Sequence, residues 1–194
     1  MKTTRFLVKS AIALAIAAPL MASAESQLTI GSGSASADLN FRVVIPRVLF
    51  LAVGTGAAGL TTNTTVDTVT FDYTSNPADV GTGNAAGTIT GNVVPVRVLG
   101  NNGVIALASS NTGALTNGTG DTLPWSEITA TSSDATNFAS PPPAGGSVNL
   151  GLSQGTKVTS RTANWTFSYA NTTVAAPGTY GVTNGTVTYT ATMP

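Results

Sequence analysis

Large apolar residues recur at every second position from Leu39 to Ile45. Leu39, Phe41, Val43 and Ile45 fall on one face, with Asn40 and Arg42 on the other. A period of two marks a half-buried β-strand. Pro46 has no amide hydrogen and predicts an edge, a bulge or a change of sheet. Beyond it Leu49, Leu51 and Val53 alternate with Val48, Phe50 and Ala52, so both faces are apolar, as in a strand covered on both sides. The pattern predicts one strand path over residues 39–53 that bends at Pro46 and passes into a second layer.

The same period returns further along. Val69, Phe71 and Tyr73 share a face within a strand expected over 65–73. Val94, Val96 and Val98 do so within 88–99, where Pro95 predicts an edge or a bulge. Trp165, Phe167 and Tyr169 make an aromatic stripe within 161–169, and Val187, Tyr189, Ala191 and Met193 alternate with four threonines at the end of the chain. Asn102-Gly103 and Asn184-Gly185 predict tight hairpins, because a type I′ turn needs two residues that tolerate positive φ. Pro141-Pro142-Pro143 predicts a stiff loop with few donors. No segment after residue 24 longer than a turn or two has helical spacing. The expectation is an all-β fold: a single immunoglobulin-like or jelly-roll-like β-sandwich of about eight to ten strands.

The start of the chain follows another pattern. Lys2, Arg5 and Lys9 precede an apolar run over 11–21, too short to span a bilayer comfortably, and Ala22-Ser23-Ala24 is a small-x-small cleavage signature. Residues 1–24 are therefore expected to be a signal peptide cut between Ala24 and Glu25, leaving about 170 residues. Residues 25–37, with Leu28 and Ile30 ahead of a Gly-Ser run, read as a flexible arm and a candidate subunit-pairing segment. Residues 38–194 are expected to form the sandwich. The implied location is the periplasm, cell surface or extracellular space, with no membrane attachment after cleavage.

Cleavage also changes the charge. Five basic residues face eight acids, about −3, and Lys157 is the only lysine left. No basic stripe exists to neutralise phosphates, which argues against nucleic acid as a partner. Histidine and cysteine are absent. The usual general base, the thiol nucleophile, the disulfide and the commonest zinc ligand go with them. A carboxylate pair could still hydrolyse glycosides. Asp121, Glu127 and Asp134 are the candidates, and Asp121 with Asp134 the candidates for calcium, although no Asp-x-Asp-x-Asp-Gly arrangement occurs. The glycines at 54, 56 and 59 have no Lys-Ser/Thr after them and read as a turn rather than a phosphate loop. The Asn-x-Thr sequons at Asn63, Asn117, Asn164, Asn171 and Asn184 follow from composition. The expectation is a protein that is not an enzyme and carries no cofactor and no metal. Trp125, after a proline in a loop, is the candidate stacking platform for a glycan.

The run Leu39-x-Phe41-x-Val43-x-Ile45, together with Pro177-Gly178-Thr179-Tyr180 ahead of Val187-Thr188-Tyr189-Thr190-Ala191, resembles bacterial pilin-type sandwiches, namely the spore-coat-U-like and chaperone–usher pilin subunits. The resemblance implies an immunoglobulin-like fold, a periplasmic chaperone as partner, and self-association in which an N-terminal arm completes a neighbour's sheet. The chain departs from those families in having no cysteine for a disulfide. The leading expectation is an exported structural subunit that assembles by β-strand addition. The alternative is a carbohydrate- or envelope-binding module.

Overall fold

The computed structural model of the protein describes residues 25–56 and 59–194, so Ala24 and the expected leader lie outside the described residues. Contacts divide the chain into two units, Met1–Ile45 and Pro46–Pro194.

In the first unit, residues 25–45 form neither strand nor helix. Their order is local: Thr29 Oγ1 donates to the Ser34 carbonyl (3.1 Å) and the Ser36 amide to Gln27 Oε1 (3.0 Å). Every residue from Glu25 to Ile45 is exposed.

The second unit is nearly all β. Its strands are β1 (Leu49–Val53), β2 (Thr70–Asp72), β3 (Thr88–Thr90), β4 (Val93–Gly100), β5 (Ile105–Asn111), β6 (Leu115–Thr116), β7 (Thr122–Leu123), β8 (Ile128–Ser132), β9 (Gly146–Leu150), β10 (Thr159–Tyr169) and β11 (Val187–Thr192). One antiparallel sheet has the order β1-β4-β10-β8 and a second β11-β5-β9, while β2-β3 and β6-β7 are small ribbons. The two larger sheets share one core, consistent with a β-sandwich. Val94, Val96 and Val98 of β4 and Trp165 and Phe167 of β10 meet Ile105 and Leu107 of β5 and Leu150 of β9 there. Phe138 reaches in from the β8–β9 connection and lies edge-on to Trp165, with centroids 5.7 Å apart. Each such side chain contributes about 1.5–3 kcal/mol by leaving water.

Alternation predicts these faces well. In β11 the core-facing Val187, Tyr189 and Ala191 are half-buried and Thr188, Thr190 and Thr192 are exposed. Three expectations are corrected. The strand path over 39–53 is confined to β1: residues 39–48 pair with no strand, and Leu39, Phe41, Val43 and Ile45 are 73–85% exposed. Pro95 sits in a central strand. Its carbonyl accepts from the Gly54 amide (2.8 Å) on the β1 side, beyond the last paired residue Val53, so the missing amide hydrogen interrupts no ladder. Neither Asn-Gly pair closes a hairpin. β4 pairs with β1 and β10, and β5 with β9 and β11, so Asn101–Val104 carries the chain from one sheet to the other. Gly103 has φ +113° but Asn102 is not in the left-handed region that a type I′ turn demands. Residues 179–183 form no strand for β11 to fold back on.

Candidate functional site

β11 pairs with β5 over Val187↔Asn111 to Thr192↔Ala106, and no strand among the described residues pairs with its other side. An edge strand presents a row of open N–H and C=O groups. Proteins usually blunt such an edge with charge, proline or a bulge. Thr186 to Met193 contains none of these residues and pairs in unbroken register.

The apolar side of this edge is only partly covered. Ile105 and Leu107 on the neighbouring β5 are fully buried, whereas Val187, Tyr189, Ala191 and Met193 are half-buried. The Tyr189 ring packs 5.0 Å from the Trp165 ring. Tyr189 Oη and Trp165 Nε1 are buried without a hydrogen-bond partner among the described residues. Desolvation pushes the Tyr189 phenol up to about 12. β1, the edge strand of the other large sheet, touches β11. Beside β1, Phe50 to Val53 and Thr61, Asn63 and Thr65 line a pocket of about 90 Å³. The chain just beyond Thr65 is fastened to the loop after β1 by Asp67, whose carboxylate accepts from the Thr55 amide (2.6 Å) and Thr55 Oγ1 (3.0 Å).

The first unit supplies the converse feature. Leu39, Phe41, Val43 and Ile45 form a two-residue repeat that no other described residue buries. Leu28 and Ile30, the expected pairing residues, are also exposed, at 85% and 91%, but they are only two, and Gly31 follows.

The other sequence-derived candidates are placed apart from this edge. Trp125 is buried, 9% exposed, within a single 3₁₀ turn, and its Nε1 donates to the Gly113 carbonyl (2.6 Å). Its ring is therefore not a surface platform. The Glu127 carboxylate accepts from Thr172 Oγ1 (2.7 Å), the Thr172 amide (3.2 Å) and Thr173 Oγ1 (3.4 Å), and the Thr172 bonds hold its pKa below the usual value. Asp121 accepts from Asn117 Nδ2 (3.0 Å), and Asp134 from the Asn137 amide and side chain (3.2 and 3.0 Å). Asp121 and Asp134 each serve their own loop, Glu127 holds the segment after β10, and no group of three metal-ligating side chains forms among the described residues. Glu25 is exposed at the start of the described chain.

Sequence reasoning missed two polar anchors. Asn171 is buried at φ +52°. Its Oδ1 accepts from the Gly81 amide (2.7 Å), and its Nδ2 donates to the Asp79 and Asn84 carbonyls (2.6 and 3.0 Å). Asn101 bridges Pro46 and Val48. The only local signal for either was asparagine's tolerance of turns.

No protein-family model, curated protein or solved structure matches this chain.

Proposed function

We propose that this chain is an exported structural subunit that associates with copies of itself by β-strand addition, residues 39–45 of one copy lying along the free edge of β11 in the next. The observation that carries this reading is the exposed repeat Leu39-x-Phe41-x-Val43-x-Ile45. Four large apolar residues at strand spacing, none of them covered, are complementary to an edge whose own core-facing side chains are half-covered. Main-chain hydrogen bonds supply affinity in such pairing and alternate side chains supply specificity. The order β1-β4-β10-β8 over β11-β5-β9 is compatible with an immunoglobulin-like sandwich in which the position beside the last strand is open, and the pilin-type resemblance points the same way. Export rests on the basic start, the apolar run and Ala22-Ser23-Ala24.

The pairing segment moves from Leu28 and Ile30 to Leu39–Ile45, because the latter has twice the apolar contacts to offer. The test is the molar mass of the chain beginning at Glu25, by light scattering across a concentration series. Concentration-dependent oligomers are expected. Phe41→Ser with Val43→Ser should abolish them, and deletion of residues 25–37 should leave them largely intact. Monomers at every concentration, or oligomers unaffected by the double substitution, would refute the reading.

A further inference from the structure

The sheet-to-sheet connection Asn101–Asn102 ties together the two ends that strand addition would use. Asn101 Oδ1 accepts from the Val48 amide (2.8 Å), the Asn101 amide donates to the Val48 carbonyl (3.3 Å), and Asn101 Nδ2 donates to the Pro46 carbonyl (2.7 Å). These bonds fix the residues at which the 39–45 segment joins the sandwich. The next residue reaches the other end: Asn102 Nδ2 and Arg47 Nη2 both donate to the backbone oxygen of Pro194, just past β11. The connection is itself held from behind, by the Gly103 amide on the Lys157 carbonyl (2.7 Å) and by the buried Thr159 hydroxyl on the Gly103 carbonyl (3.1 Å).

We infer that Asn101, Asn102 and Arg47 are positioning residues of a clasp that sets the root of the donor segment and the end of the acceptor strand in one fixed relation. The inference rests on the strand-addition reading and adds a division of labour to it. Asn101 serves the donating end and Asn102 the accepting end, so each can be damaged without the other. An ordinary stabilising turn would have no such split, because loss of either side chain would lower stability alone.

The test uses the full chain from Glu25 and a synthetic peptide of residues 38–46 as probe. Two quantities are read: the concentration at which the chain assembles, and the affinity of the dilute chain for the peptide. Asn101→Ala removes the side-chain bonds to both Val48 and Pro46 and should raise the assembly concentration about ten-fold or more, with peptide affinity unchanged. Asn102→Asp turns a donor into an acceptor facing the Pro194 oxygen, and should weaken peptide binding about ten-fold. Far-UV circular dichroism and thermal unfolding of the dilute chain report whether each variant is folded. If Asn101→Ala does not fold, Asn101→Asp keeps the acceptor for the Val48 amide and replaces the donor to Pro46 with an acceptor oxygen, and a raised assembly concentration with unchanged peptide affinity is expected of it too. Wild-type affinity and assembly in both folded variants would overturn the clasp while leaving strand addition standing. A wild-type chain that does not bind the peptide would overturn strand addition, and the clasp with it.

Discussion

The Tyr189 phenol oxygen is buried with no partner among the described residues, and the indole nitrogen of the neighbouring Trp165 is in the same state. A buried hydroxyl left without a hydrogen bond costs roughly 1–3 kcal/mol. Tyr189→Phe keeps the ring and removes the hydroxyl, so it is expected to stabilise the fold by about 1 kcal/mol in urea unfolding. The same change should remove from an ultraviolet titration the phenol that desolvation pushes up to about 12. Desolvation disfavours the phenolate, so the folded state holds this proton more tightly than the unfolded chain does. The linked stability is complete below the ordinary phenol value and is lost as pH rises toward 12. Glu127 has the opposite sign. Hydrogen bonds from Thr172 favour its ionised form and lower its pKa. Its contribution is present at neutral pH and is lost as pH falls through the lowered value. Glu127→Gln should therefore flatten part of the acid limb of a stability-against-pH curve. A limb identical to wild type would show that the Thr172 contacts do not stabilise the loop.

At the scale of elements, legibility followed burial. β10 and β11 are read correctly from sequence because one face of each packs on the core, and a slip of one residue would turn every apolar side chain to solvent. The Asn-Gly pairs mislead because turn chemistry is local, whereas the choice between returning in the same sheet and crossing to the opposite one belongs to the whole core. Residues 39–45 mislead for a related reason. Period-two alternation records that a segment suits a pleated sheet, but not whose sheet it is. Pro46 is the local sign that β1 cannot simply be extended backwards. If a neighbour buries this segment, Phe41→Ser alone forfeits about 2 kcal/mol of apolar burial, or roughly thirty-fold in the association constant. Arg42→Ser, on the opposite face of the repeat, should change it several-fold at most. Equal effects of the two substitutions, measured by sedimentation, would show that the face of the repeat is not what is recognised.

At the scale of the whole molecule, the described residues include a core that serves both sheets and an exposed apolar repeat over Leu39–Ile45. Its reactive inventory is small: it lacks histidine and cysteine, and Asp121, Glu127 and Asp134 are each committed to a separate set of hydrogen bonds. Few charges oppose association of one copy with another. If copies associate as proposed, weak individual contacts gain strength by repetition along the assembly. The most direct measurement is amide hydrogen exchange of the dilute chain with and without the synthetic peptide of residues 38–46. Strand addition predicts slowed exchange at the amides of Thr186–Met193 that do not bond to β5, with the outer amides of β8 and β9 unchanged. Exchange along β11 that is indifferent to saturating peptide would contradict the account.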